Sequence, residues 1–544
     1  MFHSPQPMSA TETPGTAAAL FAAGTLFVAQ HVRRGNAKQA KSAHALPRLP
    51  AAGQVSVHDV LGVDRADIPF RGIEAFHLRD QGTSNDITLE ALLQRKDVVL
   101  YCWTNEAETA ADEMGLFFVQ IADMQALDKH PFLDRGVRAH AGGTCYYTRL
   151  SGAEALLERL EADIKPQSIT FVWNTGRCGS TLMHRLLSAG GACSLSEPFW
   201  LDQLSFPFTR AKLGGGDKQD RAAKRLFRAC VAVDFTLAAG RMPKGWTGQF
   251  SLNPKSHVVM VDAAIDLYPG SRHMFMYRDC TKVVESFSSI FIGHLPPMKQ
   301  RLAKLQADYR RWLGTPGTLG DFAPFASARL TELAQPGSGG VAAPPIRFPR
   351  EQRMAHGSAN WLDACWKWQE LREEGRTLPP GSSRAAAGSG RCEGLTLRMD
   401  EFVGKSDAVK KGSPEWFALV AVVLRFAGLL PEDVARSAQV PRPEASPMSA
   451  ALAVFERGSQ VGSKMESSST AVQSRLSSSA RVAAKFHGDQ DLAEVAATFE
   501  ALSTAHRARW GSERLPAPSS VLPGSLGCTP SGGLLPSAAW ASLA

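Results

Sequence analysis

The sequence predicts an α/β protein with a P-loop-like central parallel sheet flanked by helices, and two observations lead to that prediction. The apolar run SITFVW is followed at once by a glycine-bearing loop and then by the helical pattern TLMHRLLSAGG. Further along, the apolar run HMFMYRD precedes a second helical pattern, KVVESFSSIF. Strands that alternate with helices are typical of a parallel sheet. A strand, a glycine loop and a helix in this order present backbone N–H groups to an anion.

The composition excludes several classes of protein. The 544 residues are 44% hydrophobic and 21% charged, which excludes a wholly disordered or fibrous chain. The formal net charge of +8 is a mild excess that suits an anionic small ligand and predicts no nucleic-acid partner. The 9 cysteines are scattered and include no Cys-x-x-Cys pair, so we expect free thiols in a reducing compartment rather than disulfides or a zinc module.

Residues 1–50 are interpreted as a leader. Their apolar run, AAALFAAGTLFVA, is shorter than the roughly 18–20 residues of a transmembrane helix. Basic residues follow this run rather than precede it, which fits an organellar transit sequence or a plain flexible leader better than a secretory signal. We therefore expect a cytoplasmic or organellar protein without a membrane span, with a short signal anchor as the third alternative.

The rest of the chain divides into three parts. Residues 51–165 predict a small α/β segment of unknown role, with DVVLYCW and GLFFVQI as strands and ITLEALLQR and SGAEALLERLEADI as helices. Residues 166–505 predict the main domain, with surface insertions rich in Gly, Pro, Ala and Ser near 314–350 and 375–394. Residues 506–544 are rich in Ser, Pro and Gly and predict a disordered tail.

Three later elements follow from local patterns. LTLRMDEF predicts a strand that runs into a turn. Ser413 and Pro414 predict the start of the helix EWFALVAVVLRFAGLL, as a capping serine and a first-turn proline. The apolar run HVVMVDAA, which begins at His257, fits a strand and a helix alike.

The loop after SITFVW has the composition of an anion site. TGRCGST offers backbone N–H groups, hydroxyls and the guanidinium of Arg177 to a phosphate or sulfate. It is not a Walker A loop, because Gly179 is followed directly by Ser180 and not by a lysine. Cys178 lies in this electropositive loop at a helix N-terminus, which predicts a thiol of lowered pKa and raised reactivity. A tight turn without a ligand is the alternative.

A second cation follows a later strand. Arg278 ends the strand predicted from HMFMYRD, and Ser286 lies eight residues further on, in the following helix. An arginine at the carboxyl end of a strand can hold a second phosphate together with a hydroxyl from the next helix. Arg278 paired with Asp279 or with a helix end is the alternative.

The order and spacing of the two motifs resemble the sulfotransferases that use 3′-phosphoadenosine 5′-phosphosulfate (PAPS). In that family a Pro-Arg/Lys-Ser-Gly-Ser/Thr-Thr loop binds the 5′-phosphosulfate, and an arginine with a serine eight residues later binds the 3′-phosphate. Asn174–Thr181 resembles the first motif, with Gly176 in the place of the proline and Cys178 in that of the first serine. The nucleotide-binding residues that this resemblance implies are Gly176, Arg177, Cys178, Gly179, Ser180, Thr181, Arg278 and Ser286.

Two weaker similarities follow in the same order. LRMDEFVGK resembles the family's Arg-Tyr-Glu-Asp-Leu element, with Met399, Asp400 and Glu401 in its central places. FERGSQVGSK resembles a late segment that closes over the nucleotide, which implies that Arg457 and Gly458 approach the 3′-phosphate.

The resemblance implies transfer of a sulfuryl group from PAPS, as co-substrate, to a hydroxyl or amine of an unidentified acceptor, without a metal. Arg177 would stabilise the leaving 5′-phosphate. The acceptor must lose a proton, and two bases compete. His257, with Lys255 near the sulfate, corresponds to the arrangement of many cytosolic members and suits neutral pH. Glu197, 20 residues after Arg177, corresponds to that of Golgi-type members.

Two other functions stay open. An NTP-dependent P-loop kinase would consume ATP with Mg²⁺, although the missing Gly-Lys-Ser/Thr argues against it. A catalytically inactive scaffold would bind the nucleotide without turnover. The sequence does not identify the acceptor or predict the oligomeric state. We expect Trp200, Phe206 and Phe208 to line the acceptor side, and His184 to belong to the core or to the wall of the site.

Overall fold

A computed structural model gives the fold of the main elements. The residues that it describes are 49–64, 72–84, 86–105, 114–210, 216–254, 258–278, 283, 364–365, 367–368, 370–378, 391–407, 409–430 and 447–455. The predicted leader, apart from residues 49 and 50, and the predicted tail lie outside the described residues, as does the insertion near 314–350. Five predicted site residues lie outside them as well: Lys255, His257, Ser286, Arg457 and Gly458.

The first sheet is antiparallel. Its strands are β1 (Val55–Val63), β2 (Phe76–Ser84), β3 (Val98–Asn105), β4 (Met114–Ile121) and β5 (Ala141–Arg149), in the spatial order β2-β1-β5-β4-β3. Strand β3 therefore lies at one edge. The helices of this half are α1 (Leu89–Leu93), α2 (Met124–Lys129), α3 (Leu133–Ala139) and α4 (Glu154–Ala162).

The sequence predicted two of the five strands of this sheet. The apolar runs predicted β3 and β4, whose buried side chains include Val99, Leu100, Phe117 and Phe118. Strands β1, β2 and β5 were not predicted. Strand β2, with the sequence FHLRDQGTS, is mostly exposed, and such an edge strand has too few apolar positions to give a clear alternating pattern.

The second sheet is parallel throughout and is flanked by helices, which makes the chain an α/β protein. Its strands are β6 (Ile169–Asn174), β7 (Cys193–Ser196), β8 (Phe250–Asn253), β9 (Arg272–Tyr277), β10 (Thr377–Leu378) and β11 (Cys392–Arg398). They lie in the order β10-β11-β9-β6-β8-β7. Strand β6 is central: β8 and β7 lie on one side of it, and β9, β11 and β10 lie on the other.

Helices cover both faces of the parallel sheet. They are α5 (Ser180–Ala189), α6 (Phe199–Arg210), α7 (Gly216–Arg241), α8 (Val261–Leu267), α9 (Met399–Phe402), α10 (Pro414–Phe426) and α11 (Pro447–Ala453). Side chains of β6 alternate between the faces, as expected for a strand buried on both sides. Phe171 and Trp173 pack with α7, and Val172 packs with α5 and α10. None of the helices in the described ranges combines the length and the apolar character needed to cross a membrane.

These elements show the outcome of three predictions that were made from short stretches of sequence. Ser413 caps α10, since its hydroxyl accepts the Trp416 N–H at 3.3 Å, and Pro414 is the first helical residue. The described part of the ambiguous run HVVMVDAA is helical: Val258–Met260 forms a 3₁₀ turn and α8 follows it. The stretch 375–394 was expected to be a surface insertion, yet both of its described ends pair as the parallel strands β10 and β11.

The two sheets share one hydrophobic core. A single cluster joins apolar residues of β3 and β4, such as Leu100 and Phe118, to Phe171 of β6 and Phe227 of α7. Ion pairs link the same halves at the surface, including Arg225 of α7 with Glu154 of α4 at 2.7 Å. The segment 51–165 is therefore packed directly against the main domain.

Candidate functional site

The candidate site lies where the strands of the parallel sheet end. Asn174 is the last residue of β6 and Asn253 the last residue of β8, while Glu197 follows β7, Arg278 follows β9 and Met399 follows β11. Because the strands are parallel, these residues all lie at the carboxyl ends of the strands, which form one edge of the sheet. This edge is called the strand edge below. The strand order reverses around β6, and the crevice at such a reversal is where open α/β sheets bind ligands.

The loop after β6 is held in a left-handed conformation. The φ angles are 74° at Gly176, 53° at Arg177 and 86° at Gly179. The Gly176 N–H donates to Asn174 Oδ1 at 2.8 Å, and Asn174 Nδ2 donates to the Pro254 carbonyl at 2.9 Å. These two hydrogen bonds therefore fix the loop relative to the ends of β6 and β8.

The same loop leads into an uncapped helix. Gly179 is the N-cap of α5, and no side chain makes a capping hydrogen bond there. The first N–H groups of an α-helix have no intrahelical partner and carry a partial positive charge. The φ angle of +86° at Gly179 favours glycine, and the residue lies beside Met399, whose Cγ would be 3.4 Å from a Cβ built at this position. The loop thus directs an uncapped helix N-terminus toward the strand edge.

Two of the predicted site residues have an unusual backbone. Within the described part of the chain, Arg177 and Glu197 are the non-glycine residues with a positive φ, 53° in each case. Such a conformation costs about 1–3 kcal/mol and clusters at functional sites, where the surrounding structure enforces it. At Glu197 the enforcement includes a hydrogen bond from its N–H to the Asn253 carbonyl at 2.9 Å.

The charged side chains of the site influence one another. Burial lowers the pKa of Arg177, the Glu197 carboxylate opposes that shift, and the neighbouring Arg278 guanidinium adds to it. Burial and the second arginine outweigh the carboxylate. Arg177 stays a cation at neutral pH, and an anion bound beside it would raise its pKa again.

Arg278 has an acidic neighbour of its own. Its Nε lies 3.8 Å from Asp400 Oδ1, and both side chains are largely buried, at 24% and 13% exposed. Asp279, the partner considered from the sequence, lies outside the described residues. The segment LRMDEFVGK thus reaches the site through Met399, beside Gly179, and through Asp400.

The prediction of a reactive Cys178 is wrong. The side chain is fully buried, its thiol donates to the Met276 carbonyl at 3.3 Å, and burial raises its pKa to about 11. The helix N-terminus does not offset the loss of solvent around a thiolate, because the sulfur lies in the core between α5 and β9. Since the Thr175 N–H also donates to Met276, Cys178 helps to fasten the loop to β9.

The two hydroxyl residues begin α5. Ser180 is buried, at 9% exposed, and Thr181 is half-buried. The structure therefore brings together, at one strand edge, the predicted residues Gly176, Arg177, Gly179, Ser180, Thr181, Glu197 and Arg278.

The predicted acceptor-side aromatics have a different role. Trp200 is fully buried with its indole N–H donating to Asp234, and Phe208 packs edge-to-face on Phe227. Both belong to the hydrophobic core, so the expectation that they line a site is wrong; the side chain of Phe206 is outside the described part. His184 is buried as expected, with Nδ1 at 2.9 Å from Ser194 Oγ, and burial lowers its pKa to about 4.

Sequence reasoning missed Asn253 and gave no role to the side chain of Asn174. The Asn174 Nδ2 lies 3.2 Å from the Asn253 side-chain amide and so joins the ends of β6 and β8 beneath the loop. The available signal was weak: each asparagine directly follows a short β-rich run, FVW or FSL. A polar residue at that place marks the end of a buried strand but does not say which strands are neighbours.

The described residues include no group of three or more His, Cys, Asp or Glu side chains placed to hold a metal ion. No family model matches this chain, and no curated protein or solved structure is significantly similar to it.

Proposed function

We propose that the protein is a sulfotransferase that takes its sulfuryl group from PAPS. The observation that carries the proposal is the convergence of Arg177 and Arg278, from the ends of the neighbouring strands β6 and β9, beside an uncapped helix N-terminus. Two guanidiniums repel each other, so a ligand with two anionic groups that contacts both would be held strongly, in competition with Glu197 and Asp400. PAPS carries two such groups, the 5′-phosphosulfate and the 3′-phosphate.

The topology supports a P-loop-like arrangement. Strand β6, which carries the loop, is central and parallel to both of its neighbours, β8 and β9. The loop itself supports a phosphosulfate better than the terminal phosphates of ATP. It offers the Arg177 guanidinium within the loop, whereas Ser180 stands where a Walker A lysine would follow the glycine.

The proposed reaction uses groups at this edge. The acceptor oxygen or nitrogen attacks the sulfur and forms a new bond, and the bond between sulfur and the bridging phosphate oxygen breaks. The electron pair of that bond stays with 3′-phosphoadenosine 5′-phosphate, whose new charge Arg177 and the loop N–H groups stabilise. The proton of the acceptor passes to a general base.

Glu197 is the base that the described residues support. It follows β7 on the same edge as the loop, it is close enough to Arg177 to influence its pKa, and its strained backbone is enforced by neighbours. His257 stays the competing candidate. Glu197→Gln should lower turnover by about 10²–10⁴-fold while nucleotide affinity is kept, because the base faces the acceptor. A larger loss from His257→Ala than from Glu197→Gln would assign the base to the histidine instead.

The test of the proposal is binding and turnover with defined nucleotides. At 100 times its Kd, 3′-phosphoadenosine 5′-phosphate should stabilise the protein by about 2.7 kcal/mol in a thermal-shift experiment, and ATP or GTP at the same concentration should stabilise it much less. Release of 3′-phosphoadenosine 5′-phosphate from PAPS then measures turnover, even before an acceptor is known. A preference for ATP with Mg²⁺ would favour the kinase alternative, and binding without turnover would favour the scaffold.

A further inference from the structure

The antiparallel sheet β1–β5, called the N-terminal sheet below, contacts the segment that carries Glu197. Helix α6 begins at Phe199, two residues after Glu197, and packs against the edge strand β3. Its first two residues lie on opposite faces of that sheet: Phe199 belongs to the core cluster on one face and Trp200 to the cluster on the other. The Phe199 ring stacks on Tyr101 with a centroid distance of 5.5 Å and an interplanar angle of 18°.

Gln203 adds hydrogen bonds to the backbone of β3, on the side where a neighbouring strand would otherwise pair. Its Oε1 accepts the Trp103 backbone N–H at 3.1 Å, and its Nε2 donates to the Trp103 carbonyl at 3.1 Å. One side chain thus satisfies both main-chain groups of a residue on the edge strand, which are otherwise open to pairing with another chain. The Trp103 indole N–H adds a third bond, to the Trp200 carbonyl at 3.2 Å.

These contacts matter for Glu197 because its backbone conformation is strained. A residue at φ 53° relaxes unless the chain is held on both sides. On the strand side, Asn253 accepts the Glu197 N–H. On the helix side, Pro198 restricts the chain, and α6 is held by the bonds of Gln203 and Trp103.

We propose that the N-terminal sheet positions the Glu197 carboxylate, and that Gln203 is the positioning residue that joins the sheet to the site. The catalytic part of this inference rests on the proposed sulfotransferase function. The positioning part does not, because it concerns the backbone of Glu197 whatever reaction the site performs. It also gives a role to residues 51–165, which contribute no side chain to the chemistry described above.

The first experiment measures hydrogen–deuterium exchange at the Glu197 N–H. Gln203→Met removes both hydrogen bonds to Trp103 while keeping a side chain of similar length. Thr148→Val is the matched control, because it removes a hydrogen bond of the same sheet, from Thr148 Oγ1 to the Gln54 carbonyl at 2.9 Å, that involves neither β3 nor α6. We expect exchange at Glu197 to be at least about tenfold faster in Gln203→Met and unchanged in Thr148→Val. Equal exchange in Gln203→Met and the native chain would overturn the proposal.

The second experiment separates binding from turnover. In Gln203→Met, we expect affinity for 3′-phosphoadenosine 5′-phosphate within about twofold of the native value and turnover of PAPS lower by roughly ten- to a hundredfold, since small misplacement of a reacting group has costs of this size. Gln203→Glu keeps the acceptor for the Trp103 N–H but not the donor, and should give an intermediate rate; it also serves if Gln203→Met does not fold.

The outcomes distinguish the two proposals. If the native protein does not bind 3′-phosphoadenosine 5′-phosphate, the sulfotransferase proposal fails and the exchange result alone decides the positioning. If the native protein turns over PAPS and Gln203→Met is as fast, the role of Gln203 in catalysis is overturned.

Discussion

Both sheets bury charged side chains, but the partners of these side chains differ between the two regions. Under the antiparallel sheet, Asp134 accepts hydrogen bonds from the Tyr101 hydroxyl at 2.8 Å and from Arg138 at 3.1 Å, so the buried acid and base compensate each other within the protein. At the edge of the parallel sheet, the guanidiniums of Arg177 and Arg278 lie near each other, with Glu197 and Asp400 as acidic neighbours. A buried acid–base pair within the protein specifies the fold, whereas two neighbouring guanidiniums at a strand edge can also hold an anionic ligand.

The largest expected effect tests the internal pair. Arg138→Met should lower the free energy of unfolding by about 3–5 kcal/mol, because it leaves the buried Asp134 carboxylate without its guanidinium. Urea denaturation measures this directly. Nucleotide affinity of the folded fraction should stay native. A loss below about 1 kcal/mol, or a specific loss of nucleotide binding, would contradict the distinction between the two regions.

The next effect tests the arginine at the parallel edge. Arg278→Ala should weaken binding of 3′-phosphoadenosine 5′-phosphate by about 1.5–3 kcal/mol, roughly ten- to over a hundredfold, because a charge-assisted hydrogen bond is lost. Adenosine 5′-phosphosulfate, which lacks the 3′-phosphate, should be affected far less. Isothermal titration with both ligands measures the difference. Equal weakening of the two would show that Arg278 does not read the 3′-phosphate.

Acid should weaken the parallel-sheet region through its buried histidines. His273 accepts the Trp173 indole N–H at 2.9 Å and contacts Ser271 Oγ at 2.8 Å, and burial lowers its pKa to about 3. The unfolded chain, with a histidine pKa of about 6.5, then binds more protons than the folded one, so stability falls as the pH drops below about 6.5. The penalty from this one residue is about 2 kcal/mol at pH 5.

The measurement is the slope of unfolding free energy against pH. Between pH 6 and pH 4 each such histidine contributes up to about 1.4 kcal/mol per pH unit. His273→Gln should lower that slope by about this amount, whatever the variant does to absolute stability. An unchanged slope would mean that His273 is protonated in the folded protein.

The sequence predicted the elements whose signals are local. The apolar run of β6, the glycines of its loop and the cap of α10 at Ser413 each depend on neighbours in the chain, and each was found where expected. Strands β7 and β8 were missed because CSLS and FSLN are four residues long and become strands by pairing with each other and with β6. With them, Asn253 was missed as well.

The errors at the site have a common cause. Cys178 was judged by its place at a helix N-terminus, but its burial, which depends on the packing of β9, decides its pKa. Trp200 and Phe208 were judged by their aromatic character, but the side of α6 that faces the core depends on how the helix packs against β3 and α7. Composition and spacing identify the residues that can bind an anion; only the tertiary fold shows which of them are exposed to one.

The smallest expected effect concerns Asp400. Its carboxylate lies 3.8 Å from Arg278 Nε and therefore competes with an anionic ligand for that guanidinium. Asp400→Asn should tighten binding of 3′-phosphoadenosine 5′-phosphate by about 0.5–1 kcal/mol, roughly two- to fivefold, and the gain should shrink as salt is added. Asp407→Asn is the control, because it removes a carboxylate of the same segment that pairs with Lys410 at the surface, and it should leave affinity unchanged. Weaker binding by Asp400→Asn would mean that the carboxylate orients Arg278 for the ligand, and the parallel edge would then resemble the internally satisfied pair of the antiparallel sheet.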